Sequence, residues 1–167
     1  ILNQSENSSL WLIEDSDASR HNLAAYAERN GVAPERLIFT HRADPADYLA
    51  RLRLADLYLD THPYNAGTVA SDALRVGLPL LTLNGTSFVS RMAGCLLTAV
   101  GMEDLIAPTP EAYIETAVAL ATDRAHYQSV RTRLSGDAWT KSLGDVEGFT
   151  RHFEAALASV VKRPEKG

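Results

Sequence analysis

The sequence predicts an α/β fold, a parallel sheet covered by helices on both faces. Three observations carry that expectation. Short apolar runs alternate four times with segments of helical periodicity. Glycines stand where three of those segments would end, at Gly31, Gly77 and Gly101. Capping residues stand where two of them would begin, at Asp15-Ser16-Asp17 and at Asp44-Pro45. Strand and helix in alternation imply right-handed crossovers between parallel strands.

The elements follow in order. Leu10–Ile13 is apolar, contains an aromatic and an Ile, and lies between Ser9 and Glu14, so it reads as a buried strand. A helix over residues 18–30 repeats Leu23, Tyr26 and Ala27. Residues 37–39 form a second strand. Asp44 then caps a helix whose first turn holds Pro45, where a missing N–H costs nothing, and whose stripe is Tyr48, Leu49 and Leu52. Residues 57–59 form a third strand ending at Asp60. The loop 61–67 leads into a helix from Thr68 to about Val76. Residues 78–83 are the fourth strand, with Pro79 near its start.

The second half reads as almost all helix. One helix covers residues 87–100. Another starts at Thr109-Pro110-Glu111 and carries Tyr113, Ile114, Ala117 and Leu120. Asp123 opens a piece with Tyr127, Val130 and Leu134. The last, near 146–161, carries Phe149, Phe153, Leu157 and Val160. Tyr113 and Phe153 are assigned to the core. Residues 162–167 are expected to fray. No repeat or low-complexity linker divides the chain, so residues 1–167 are read as a single lobe.

Composition bounds the function. The chain has 167 residues, with 46% hydrophobic and 22% charged, which fits a globular domain and not a disordered one. Sixteen Lys+Arg against 21 Asp+Glu give a net charge of −5, so nucleic acid is not the expected partner. No apolar run reaches the ~18–20 residues of a membrane helix, so no membrane is expected either. Asn3, Gln4 and Glu6 interrupt any signal-peptide core. Cys95 is the only cysteine and asks for no oxidising compartment, which fits a cytoplasmic protein. The chain begins with Ile1, not Met, as a piece of a longer protein would.

Ligands of open parallel sheets bind beyond the carboxyl ends of the strands. Two loops qualify, residues 40–44 and residues 60–68. The second brings Gly67 and Thr68 to a helix start, where free N–H groups and a partial positive charge suit a phosphate. The same residues also suit a plain helix cap beside a turn glycine. No Walker-type or Gly-x-Gly-x-x-Gly pattern is present. Asp15-Ser16-Asp17 matches an Asp-x-Asp metal motif but stands where a helix cap belongs, and capping is the stronger reading. The five histidines show no metal spacing. His62 in the candidate loop is read as a turn-packing residue as readily as a functional one. Ser90 lacks a nucleophile-elbow context, and Arg91 reads as a helix-surface or scaffold residue.

The run Asp60-Thr-His-Pro-Tyr-Asn-Ala-Gly-Thr-Val-Ala-Ser-Asp72-Ala-Leu, then Gly77-Leu-Pro-Leu-Leu-Thr82, then Ser90-Arg91, resembles the signature of the O-GlcNAc transferase family. Ser8-Ser-Leu-Trp-Leu and Glu111-Ala-Tyr-Ile extend the resemblance over nearly the whole chain. It implies a Rossmann-like sheet, the C-terminal, UDP-binding lobe of a GT-B glycosyltransferase, here without its first strand. It implies an enzyme, a hexosyltransferase, that moves N-acetylglucosamine from UDP-GlcNAc to Ser or Thr of acceptor proteins. Gly67, Thr68 and Val69 match the segment that meets the diphosphate. Asp72 matches the acid that bonds the ribose. Ala43 matches the residue whose backbone reads the uracil edge. Tyr48 takes the place of a ring stacked on the base, with Arg51 one turn further along. Tyr64 falls where the loop approaches the sugar.

No catalytic residue and no metal ligand is implied within this chain, and no cofactor besides the donor. The family's phosphate-contacting lysine, N-terminal lobe and tetratricopeptide repeats would lie outside it, as partners of this segment or in a separate chain. The sequence departs from the family pattern at Ala66 (usually Gly), Val69 (usually Thr), Arg75 (usually Trp) and Pro45, where vertebrate-like members carry Lys. A non-catalytic nucleotide-binding or scaffold module, and a GT-B enzyme using another UDP-sugar, are the alternatives.

Overall fold

A computed structural model describes residues 1–161. Residues 162–167, the tail expected to fray, lie outside the described residues. The chain alternates as the sequence predicts: β1 (Leu10–Ile13), α1 (Asp17–Arg29), β2 (Leu37–Thr40), α2 (Pro45–Leu52), β3 (Tyr58–Leu59), α3 (Thr68–Arg75), β4 (Leu80–Leu83), α4 (Met92–Ala99), β5 (Ile106–Ala107), α5 (Pro110–Thr122), α6 (Arg124–Ser135) and α7 (Val146–Val161). Every strand pair is parallel. The expected single ladder is hydrogen-bonded in two parts, β1–β2 and β3–β4–β5.

β4 is the middle strand of the larger part. Leu80, Leu81 and Thr82 are fully buried, because neighbours flank both edges and helices cover both faces. The main core joins α3 (Ala70, Ala73, Leu74) to α4 (Ala93, Leu97), then to Met102 and Leu105, and to Leu120, Val130 and Leu134 of α5 and α6. A smaller cluster of Ala27, Val32 and Leu37 supports β1 and β2. Arg36 fastens the N-terminal segment there, donating to the carbonyls of Leu2, Ser5 and Ser8.

Local chemistry explains the helix ends. Gly31 and Gly77 follow α1 and α3 with φ of 75° and 74°, a conformation that L side chains resist. The cap of α1 is Ser16, whose hydroxyl accepts from Ser19 N at 3.1 Å while the Ser19 hydroxyl accepts from Ser16 N at 3.2 Å. Asp15 instead pairs with Arg42 at 3.0 Å. Asp44 stands at the start of α2 but makes no side-chain capping bond.

Four expectations need correction. β5 is a strand the sequence did not reveal. The strand expected from residue 78 starts at Leu80, because Leu78 N bonds back to Ala73 O at the end of α3. The helix expected from Ser87 starts at Met92, because Ser87 and Ser90 satisfy each other's backbone and hydroxyl groups and hold a turn. Phe153, assigned to the core, is 53% exposed, since α7 buries only Gly148 against the rest of the chain. Tyr113 is half-buried, as its stripe on α5 requires. No helix of the described residues is long and apolar enough to cross a membrane.

Candidate functional site

The site is built at the carboxyl end of β3. Asp60 closes the strand and is 5% exposed. Its Oδ1 accepts from the amides of Thr61 at 2.9 Å and Ala66 at 2.8 Å. Its Oδ2 accepts from the Thr82 hydroxyl on β4 at 2.6 Å. Burial pushes the carboxyl above the usual carboxylate range, against the pull of those donors and of His62 nearby. The Tyr113 hydroxyl, from α5, donates to the Asp60 carbonyl at 2.9 Å. Burial raises that phenol strongly, with Asp60 and Tyr58 adding to the shift.

The loop beyond Asp60 is closed on itself. Thr61 Oγ1 donates to Tyr64 O at 2.6 Å, and Asn65 Nδ2 donates to Thr61 O at 2.8 Å. Asn65 is buried, and its N–H donates to Val89 O at 3.0 Å. The His62–Pro63 peptide is cis. Tyr64 is 71% exposed, free to meet a ligand over the loop.

After that rigid turn the chain enters α3 through Gly67. Gly67 has φ −104°, and a Cβ there would meet Met92 Cε at 3.6 Å, an ordinary contact. Neither backbone nor packing demands glycine here. Thr68 and Val69, in the first turn, are exposed. Gly67 caps α3 without a side chain, so the first N–H groups of the helix keep no side-chain partner. Asp72 is half-buried one turn on.

The second candidate loop follows β2 and leads into α2. Ala43 is half-buried before α2. Arg51 Nη1 donates to His41 O at 2.9 Å, so its guanidinium braces the loop carrying Ala43. Tyr48 is half-buried and its hydroxyl has no hydrogen-bond partner among the described residues. Burial, then Asp72 and Tyr58, push its phenol up to about 12. α2 and α3 pack against each other, which sets Tyr48 and Asp72 on adjoining helices. The structure brings Ala43, Tyr48 and Arg51 together on one loop and helix, and Tyr64, Gly67, Thr68, Val69 and Asp72 on the other. An open cleft of about 380 Å³ lies beside the start of the 61–67 loop, lined by His62, Asn84, Ser87, Ser90 and Pro108, and none of the predicted site residues lines it. Among the described residues no three His, Cys, Asp or Glu side chains cluster as metal ligands do.

Residues 1–153 match the sequence pattern of glycosyl transferase family 41. The chain belongs to that family. Within family 41 it is 32% identical to a UDP-N-acetylglucosamine–peptide N-acetylglucosaminyltransferase of Caenorhabditis elegans, over the whole of this chain and 14% of that protein. A probable enzyme of the same name from Arabidopsis thaliana is 34% identical over 92% of this chain and 16% of that protein. A solved mutant of the Thermobaculum terrenum O-GlcNAc transferase superimposes with a TM-score of 0.85 at 31% identity, covering 93% of this chain and 31% of that one. This family 41 chain thus spans a minor part of each relative's length. The match fixes the fold as the corresponding part of a GT-B glycosyltransferase.

Sequence reasoning missed Asp60, Thr82 and Asn65 as parts of the site and assigned Tyr113 to packing alone. The only local signal was an acid closing an apolar strand. Two departures from the family pattern have visible settings. Arg75 lies 5.7 Å from the Trp139 ring centroid, a cation–π contact that anchors α3. Val69 is 37% exposed at the helix start, where it presents methyls in place of a hydroxyl.

Proposed function

We propose that this chain is the UDP-GlcNAc-binding portion of a protein O-GlcNAc transferase, which transfers N-acetylglucosamine to Ser or Thr of acceptor proteins. The observation that carries this is the open start of α3 behind a braced loop, in a chain whose family 41 relatives bear that enzyme's name. Uracil meets the backbone of Ala43, its ring stacked on Tyr48, and Arg51 holds that loop. Asp72 accepts from the ribose hydroxyls. The amides of Gly67, Thr68 and Val69 face the diphosphate, and Tyr64 covers the sugar side.

UDP leaves carrying the charge of the broken glycosidic bond. N–H donors and about half a positive charge at the helix start stabilise that charge increasingly as the bond breaks. The chain holds no catalytic base in this scheme. The acceptor and the remaining N-terminal lobe and tetratricopeptide region meet it from elsewhere in the complete enzyme, in the cytoplasm. Residues 61–68 contain no acid, so the site works without a metal.

Calorimetric titration of the complete protein with UDP tests the assignment. Binding is expected, with competition by UDP-GlcNAc and none by adenosine diphosphate. Equal affinity for the adenine and uracil nucleotides overturns it.

A further inference from the structure

Asp60 has no part in the scheme above, yet it is the most heavily engaged acid near the site. A buried carboxylate is costly unless its oxygens are satisfied, and an apolar residue fills space at lower cost. Here both oxygens are used, and on different things. One gathers the first and last amides of the turn, Thr61 and Ala66. The other is tied to Thr82, a fully buried residue of the central strand. Ala66 is bonded directly to Gly67, so fixing its peptide sets where the α3 amides begin and which way they point.

We propose that Asp60 is a positioning residue for the diphosphate. Its carboxylate clamps both ends of the 61–66 turn to β4, and so holds the amides of Gly67, Thr68 and Val69 in their binding orientation before the nucleotide arrives. The proposal rests on the assignment of those amides to the diphosphate. Ordering a loop on binding consumes affinity, and a clamp already set in the free protein avoids that cost. Thr61 and Asn65 close the turn from within, and among the described residues Asp60 is the side chain that ties the turn's amides to the sheet.

The test compares UDP with uridine in the complete enzyme. Uridine keeps the base and ribose contacts and lacks the diphosphate. Asp60→Ala is expected to weaken UDP about tenfold or more and to leave uridine within about twofold. Asp60→Asn keeps an oxygen for the two amides and an NH₂ for the Thr82 oxygen, and is expected to stay within about threefold of wild type for both ligands. A general structural role predicts equal losses for UDP and uridine, and that result, or no loss for either, overturns the proposal. If Asp60→Ala does not fold, Thr82→Val is read by the same criterion, with a loss confined to UDP supporting the clamp and an equal or absent loss overturning it. Wild-type protein that binds UDP no more tightly than uridine refutes the diphosphate assignment itself, and the clamp with it.

Discussion

The Tyr113 hydroxyl donates to the Asp60 carbonyl at 2.9 Å, joining α5 to the end of β3 across 53 residues. The bond holds the strand end through its backbone carbonyl, while Thr82 holds it through the carboxylate. Tyr113→Phe leaves that carbonyl without this donor in a half-buried place. The expected loss is about 1–2 kcal/mol, or roughly 2–8 °C in melting temperature for a domain of this size. Thermal unfolding of the complete protein checks this, and an unchanged transition refutes it. UDP affinity is expected to fall less than in Asp60→Ala, because the carboxylate clamp itself is intact.

With Asp72 as the proposed ribose ligand, Asp72→Ala is expected to remove charge-assisted hydrogen bonds typically worth about 1.5–3 kcal/mol. UDP affinity should drop roughly 10–100-fold. An unchanged dissociation constant by calorimetry excludes Asp72 as the ribose ligand.

Tyr48 separates ring from hydroxyl. The ring is assigned to the base, while the hydroxyl is buried without a partner. Tyr48→Phe should keep UDP affinity and leave stability equal or higher, because a buried unpaired group is removed. Tyr48→Ala should lose about 1–3 kcal/mol of stacking. The phenol titrates near 12 when folded, against an ordinary 10. This group adds no pH dependence to stability below pH 10, and stability falls as pH rises from 10 through about 12, since ionisation then favours the unfolded chain. Urea titrations of wild type and Tyr48→Phe at rising alkaline pH check the sign, with the wild type losing stability faster.

What the sequence revealed was mostly local. Gly31 and Gly77 announce helix ends because their φ values depend on a few residues around them. Pro45 announces the start of α2 for the same reason. β5 stayed hidden because two residues have no periodicity, and Ile106 and Ala107 become a strand only by pairing with Thr82 and Leu83. Asp60 stayed hidden because its partners lie at residues 82 and 113. The α7 stripe was legible as a stripe, but periodicity says nothing of what covers it, so Phe153 was misassigned. The site residues themselves came from the family resemblance, and the structure adds their braces, Arg51 to His41 and Asp60 to Thr82.

That uncovered stripe has a consequence. Phe149 and Phe153 stack with centroids 5.9 Å apart, and Leu157 and Val160 continue the exposed face. Among the described residues β1 is paired only to β2, and β3 only to β4. Open strand edges and an exposed apolar face promote association. The 167 residues expressed alone should therefore aggregate or capture a companion fragment, and Phe149→Ser with Phe153→Ser should raise the soluble fraction. Light scattering after size-exclusion chromatography reads the outcome. A cooperative, monomeric thermal transition of the unaltered segment defeats the prediction.

The last prediction is that the chemistry needs no divalent cation. A cation beside a diphosphate is normally anchored by hard oxygen ligands from the protein. Residues 61–68 offer no carboxylate, and Asp60 behind them has both oxygens committed to Thr61, Ala66 and Thr82. Asp15 is paired with Arg42, and Ser16 between the two acids caps α1. The start of α3 supplies N–H donors and about half a positive charge instead. UDP binding and glycosyl transfer by the complete enzyme are expected to persist in excess EDTA. Loss of transfer on chelation, restored by Mg²⁺ or Mn²⁺, would return Asp15 and Asp17 to consideration as ligands and would contradict the charge-stabilising role given to Gly67, Thr68 and Val69.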